Sequence, residues 1–170
     1  MVWNFDGWTK NRLVYDNLIN SPGHQLTVGN LYYFSKVIED QSAGTIYFGL
    51  ETGNKEISFT FDVGCSEQVK VEFFEDADFS DGTEMQLQNK NRNSTTQPDV
   101  HIFSNPTVND EGSKIFESIE GTTKSNKIGN AVSLRDNEFF VLKPNTKYIM
   151  KITVYNTSDI SLLADFWELI

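Results

Sequence analysis

The chain is short of several things, and each shortage excludes something. It has one cysteine, Cys65, in 170 residues, so no internal disulfide can form. Two histidines beside that one cysteine are too few for a conventional structural zinc site. Basic residues are outnumbered, with Lys and Arg at 14 against 24 for Asp and Glu, and the net charge is −10. That sign argues against gripping a nucleic-acid backbone, which takes a basic stripe to displace counterions. No apolar run approaches the roughly 20 residues of a membrane helix. The opening Met1-Val2-Trp3-Asn4-Phe5-Asp6 has neither a basic start nor an apolar h-region, so no secretory leader is expected. Proline is scarce, at 4 residues. A chain of this length makes one ordinary domain and buries roughly 70% of its unfolded surface, enough for a core without staples.

What is present reads mostly at period two. In Glu56-Ile57-Ser58-Phe59-Thr60-Phe61-Asp62-Val63 the odd positions are apolar and the even ones polar. That alternation marks a strand with one buried face. Ile46, Phe48 and Leu50 alternate in the same way, as do Val69, Val71 and Phe73, and Tyr148, Met150, Ile152 and Val154. Turn-forming residues separate the runs at Asp40–Gly44, at Gly53-Asn54 (both able to take φ > 0), at Ser80-Asp81-Gly82 and at Pro144-Asn145. About nine short runs at roughly 8–12-residue spacing predict an all-β antiparallel sandwich or barrel.

Two stretches differ. Thr9 to Asn20 carries Leu13, Val14, Tyr15, Leu18 and Ile19 in one helical stripe, with Ser21-Pro22-Gly23 as its stop and His24 in the turn that follows. Residues 1–24 therefore read as an arm with a short helix, and 25–170 as the sandwich domain. Gly121 to Arg135 is rich in Gly, Ser, Thr, Asn and Lys and reads as a long exposed loop. A weak echo links Val71-Glu72-Phe73-Phe74…Ser80-Asp81-Gly82 with Val100-His101-Ile102-Phe103…Asn109-Asp110-Glu111-Gly112, offset by 29 to 30 residues. It suggests two strand–loop–strand units at matching places in two facing sheets. Leu162 to Ile170 is apolar on both faces, which suits a central strand with a tied-down end.

Candidate chemistry is sparse. The acidic run Glu75 to Gly82 invites a calcium reading, but counted from Asp76 its sixth position is Asp81, not Gly, and its twelfth is Leu87, not Glu. A solvated turn is the plainer reading. His101 alternates with Val100 and Ile102 and should face water. Cys65 has no flanking Lys, Arg or His to activate it and reads as inert. Neither histidine belongs to a visible nucleophile–base–orienter set, so neither catalysis nor a cofactor is expected. A glycan hydrolase would need a clefted carboxylate pair that sequence cannot show. Trp3, Phe5 and Trp8 cluster in a segment without strand period, where rings either anchor a partner or cap the domain's own core.

An ordered series of residues carries a resemblance. It runs through Glu51-Thr52-Gly53, Phe74 with Ser80-Asp81-Gly82-Thr83, and Asn89-Lys90-Asn91-Arg92-Asn93-Ser94. It continues with Val100 to Val108, Glu138, Leu142-Lys143-Pro144-Asn145-Thr146-Lys147-Tyr148 and Trp167-Glu168. Over roughly residues 20–170 the chain resembles a family of small tailed-bacteriophage virion proteins, the head decoration or capsid cement proteins. The order and spacing of the elements carry the likeness, not any single motif. The resemblance implies a jelly-roll-like sandwich and a non-enzymatic role stabilising the outer surface of the capsid. It further implies the major capsid protein as partner, a homo-oligomer (a trimer before a dimer), and synthesis in the host bacterial cytoplasm. Trp3, Phe5, Trp8, Lys124, Lys127 and Trp167 are the candidate capsid or oligomer contacts. The competing readings are a carbohydrate-binding module of a phage fibre or host-attachment structure, a small glycan hydrolase, and a virion component elsewhere in the particle.

Overall fold

The period-two runs become strands whose alternate side chains meet in one core. The computed structural model describes residues 20–121, 131–133 and 139–169. A short helix, α1 (Pro22–Val28), precedes β1 (Tyr32–Gln41), β2 (Gly44–Thr52), β3 (Ile57–Cys65) and β4 (Val69–Glu75). The segment that follows holds β5 (Asp78–Ser80), β6 (Thr83–Glu84), β7 (Gln88–Asn89), β8 (Val100–Ser104) and β9 (Thr107–Asp110). The chain then continues through β10 (Ser113–Glu120), β11 (Ala131–Ser133), β12 (Phe140–Leu142), β13 (Lys147–Val154) and β14 (Ser158–Glu168).

The pairing is that of one long antiparallel ribbon. β1 lies against β14, β2 against β13, β3 against β11 and β12, and β4 against β10. Rolling that ribbon brings β14 beside β3 and β13 beside β4. The outcome is two sheets, one ordered β11-β3-β14-β1-β7 with β12 also on β3, the other β10-β4-β13-β2-β8-β6. A ribbon rolled so that its strands alternate between two facing sheets is a jelly roll. The all-β sandwich expected from the sequence is what forms.

The core lies between the sheets. Ile57, Phe59, Phe61 and Val63 of β3 are buried, and so are Val69, Val71 and Phe73 of β4 and Tyr148, Met150, Ile152 and Val154 of β13. Phe73 stacks on Phe59 and on Tyr148 with ring centroids 5.6 Å apart in each pair. Each fully buried side chain of this size stabilises the fold by about 1.5–3 kcal/mol. β14 is central, between β1 and β3. Its end is tied down by the Leu169 N–H, which donates to the Glu56 carbonyl at 2.9 Å.

Several expectations change. The helix predicted over 9–20 lies outside the described residues, apart from Asn20. Ser21-Pro22-Gly23 begins a helix where a stop was expected. The Ser21 hydroxyl accepts from the His24 N–H at 3.3 Å, and Pro22 sits in the first turn, where its missing N–H costs nothing. His24 is therefore helical, and α1 crosses the boundary placed after residue 24. Of the 121–135 stretch, residues 131–133 are not loop: they pair with Asp62, Val63 and Gly64 of β3. Gly53 does not have positive φ; it is required because a Cβ there would lie 2.0 Å from the Asp99 Oδ2.

The internal echo is real but lies differently. β4 and β8 share one sheet rather than facing each other across the core. Each is followed by a left-handed residue, Asp76 (φ 56°) and Asn105 (φ 52°), and then by a short strand. Those followers, β5 and β9, pair with each other as a separate two-stranded sheet. Phe79 of β5 and Val108 of β9 pack with Phe74, Ala77, Phe103 and Ile149 in a second, smaller core on the outer face of the β2–β13–β4 sheet. The acidic run is thus not a plain solvated turn, because Phe79 at its centre is 2% exposed.

Candidate functional site

The excursion between β4 and β10 supplies a cleft, and its polar residues explain how it holds shape. Three sections matter: the residues around Asn89, the corner around Glu168, and the cleft between them.

The Gly29 carbonyl is a hub. It accepts from the Asn89 amide at 2.8 Å, the Ser94 hydroxyl at 3.3 Å, the Tyr32 hydroxyl at 3.5 Å, and the Thr96 hydroxyl. The Asn89 side-chain oxygen accepts from the Asn91 N–H at 2.9 Å, and the Asn91 side-chain oxygen from the Asn93 N–H at 3.1 Å. Two successive Asx-turns therefore set the path of the Asn-rich stretch. Lys90 reaches the Asp165 carboxylate on β14 at 2.6 Å. These bonds join residues 89–96 to the C-terminal end of α1 and to the β1–β14 sheet.

The Glu168 corner joins several separate segments of the chain. The Asp99 N–H donates to Glu168 Oε1 at 2.7 Å, and Lys55 Nζ lies 2.5 Å from Glu168 Oε2. The Gly53 N–H donates to the Asp99 carbonyl at 2.7 Å, and the Asn145 N–H to the Gly53 carbonyl at 2.6 Å. The Thr52 hydroxyl donates to the Lys143 carbonyl at 2.7 Å and accepts from the Thr146 N–H at 3.0 Å. Thr52-Gly53, Lys143-Pro144-Asn145-Thr146 and Glu168 are one hydrogen-bonded corner, so their place in the sequence is a demand of the fold.

Between these two sections lies an open cleft of about 580 Å³. Residues 84–89 form one wall, running from β6 at the edge of one sheet to β7 at the edge of the other. Residues 92–101 form the opposite wall. Met85, Leu87 and Pro98 are half-buried and supply the cleft's smaller apolar part, while Val100 is buried in the main core; Gln86, Arg92, Thr95 and Gln97 are exposed at the rim. His101 Nδ1 and Glu84 Oε1 lie 2.6 Å apart at one end, with side chains 55% and 59% exposed. His101 faces water as its alternation predicts. Arg92 donates to Gln88 Oε1 at 2.9 Å.

The candidate contact residues fall elsewhere. Trp3, Phe5, Trp8, Lys124 and Lys127 lie outside the described residues. Trp167 is 3% exposed and packs edge-on against Phe139 at 4.8 Å, so its ring is held by this chain rather than presented to a partner. Its indole N–H is buried without a hydrogen-bond partner among the described residues. Cys65 is buried, and burial, reinforced by the Glu120 charge, pushes its thiol pKa up, away from reactivity.

Away from the cleft, the outer face of the β4–β10 pair is a charge network. Glu72, buried, lies 2.9 Å from Lys70 and 3.2 Å from Lys114, and both lysines also reach Glu117. Hydrogen bonds from Lys114 and Lys70 hold the Glu117 carboxyl below its usual pKa. Burial would raise the Glu111 carboxyl, but hydrogen bonds from Lys151 and Tyr47 outweigh it and hold the pKa down. Among the described residues, no three His, Cys, Asp or Glu side chains converge as a metal site.

No family model matches the chain, and no curated protein does. Among solved structures, a crystal structure described as the 60-mer BFDV capsid protein is similar at 11% identity. The match covers 82% of this chain and 89% of that one, with a TM-score of 0.18. A likeness of that size says nothing about the fold or role of this chain.

Proposed function

We propose that this protein is a non-enzymatic virion component of a tailed bacteriophage that binds the outer surface of the capsid and stabilises it. The observation that supports the reading most is the strand order. The decoration-like series in the sequence implies a jelly roll, and the ribbon pairing of β1 with β14, β2 with β13, β3 with β12 and β4 with β10 is that architecture. Fold alone does not assign function, so the role rests on the sequence resemblance as analogy. The net charge of −10 suits an exterior position better than contact with packaged DNA.

The mechanism is linkage. A protein that binds only the mature shell adds its binding free energy to that state. Many copies on one lattice multiply weak contacts. The partner is the major capsid protein, and the bound form is a homo-oligomer, a trimer before a dimer. Trp3, Phe5 and Trp8 are the proposed anchors, with Lys124 and Lys127 as further contacts. Co-sedimentation of the purified chain with capsids assembled without it tests this. Saturable binding that raises the capsids' melting temperature is the expected result, and failure to pellet with them contradicts the proposal. Deleting residues 1–10 should abolish binding if the aromatic anchors act as proposed.

A further inference from the structure

The cleft between residues 84–89 and 92–101 is not needed for the capsid reading, and its chemistry narrows what could fill it. Its volume of about 580 Å³ is in the size range of small-ligand sites, roughly 300–1,000 Å³. The lining is mostly polar, with half-buried Met85, Leu87 and Pro98 as its apolar part, and the rim is amide-rich, from exposed Gln86 and Gln97. Each carboxamide offers two donor hydrogens and an acceptor oxygen, so the rim can both give and take hydrogen bonds.

Three ligand classes fit poorly. Anionic ligands would find Arg92 as the cleft's cation, and Arg92 is already engaged by the Gln88 carbonyl oxygen at 2.9 Å. Cationic ligands would find Glu84, which is already paired with His101 at 2.6 Å. A peptide adding as a strand would need the outer edge of β8. That edge is occupied: β6 pairs with Phe103 and Ser104, and the Met85 N–H donates to the Ile102 carbonyl at 2.7 Å. A neutral molecule with many hydroxyls and a small apolar face matches the polar lining, the patch of Met85, Leu87 and Pro98, and the amide rim.

We infer that this cleft is a binding subsite for a neutral oligosaccharide, with sugar C–H faces on Pro98 and Met85 and hydroxyls bonded to the amides of Gln86 and Gln97. Among the described residues no Phe, Tyr or Trp ring lines the cleft, so a single site binds weakly and useful adhesion comes from many copies. The inference stands whether or not the protein sits on a phage head.

The test is a glycan array of neutral and acidic oligosaccharides, followed by NMR titration of the isotope-labelled chain with the best neutral binder. The expected result is selective binding of neutral glycans, with shifts confined to residues 84–101. The double substitution Gln86→Ala/Gln97→Ala, at two exposed positions, should weaken binding at least about tenfold and leave the melting temperature unchanged. Silence across the array at about millimolar glycan overturns the inference. So do a preference for acidic glycans or peptides, shifts mapping elsewhere, and binding that the double variant leaves intact.

Discussion

At the scale of single residues, the fold depends on contacts too close to tolerate one more atom. Gly49 sits on the outer face of β2 directly beneath Phe79, and a Cβ there would lie 2.7 Å from the ring. Phe79 is itself 2% exposed, so the ring has nowhere to retreat. Gly49→Ala should therefore cost about 1–3 kcal/mol in urea unfolding. Adding Phe79→Leu should return part of that loss if the clash is the cause. Tyr148 offers a second readout. Burial, reinforced by the nearby Glu75 carboxylate, pushes its pKa up to about 12. The Lys143 N–H donates to the phenol oxygen at 2.7 Å and acts in the opposite direction. An absorbance titration of tyrosinate should show Tyr148 ionising near pH 12, with Tyr47 also shifted upward by burial and its hydrogen bond to Glu111, and Tyr148→Phe should remove the step near 12.

At the scale of elements, long alternating runs were legible and short locked segments were not. β3 reads as a strand because Ile57, Phe59, Phe61 and Val63 alternate over enough residues to fix which face is buried. β5 and β9 have three and four residues, too few to display a period, and pairing with each other is what makes them strands. Ser21-Pro22 misled because proline both follows helices and begins them, and only the Ser21 cap decides between the two. The cleft was missed because glutamines and an arginine at irregular spacing match no catalytic or metal pattern; the echo between β4 and β8 was the nearest available signal of this insertion. The Asn89–Thr96 lock was likewise hidden, since an Asn-rich stretch reads as loop until its acceptor, the Gly29 carbonyl, is in place. That lock is testable. Asn89→Ala removes a donor to Gly29 and strands the Asn91 N–H, and should cost about 1–3 kcal/mol. Faster amide exchange should appear in α1 and residues 89–96, while β13 and β14 stay protected.

At the scale of the whole molecule, stability should form a plateau in pH with losses at both ends. The Glu111 and Glu117 pKa values are lowered in the fold. Their contribution is present above the unfolded carboxylate pKa and is lost as pH falls through the folded values. Lys70, Lys114 and Lys151 are raised by hydrogen bonds to those carboxylates and, for Lys70 and Lys114, to Glu72. Their contribution is full below the unfolded lysine pKa and is lost as pH rises through the folded values, and Tyr148 acts with the same sign between 10.0 and about 12. Urea midpoints measured against pH should be flat near neutrality and fall in acid and in strong alkali. Lys114→Met should flatten the acid limb by releasing one hold on Glu117. The proposed place of this molecule, on the outside of a phage head, can be checked by a density map of the whole particle. The proposed placement predicts jelly-roll density matching these strands on the outer surface of the head, repeated over the capsomers in contact with the major capsid protein. Matching density confined to the tail, a fibre or the shell interior would contradict it.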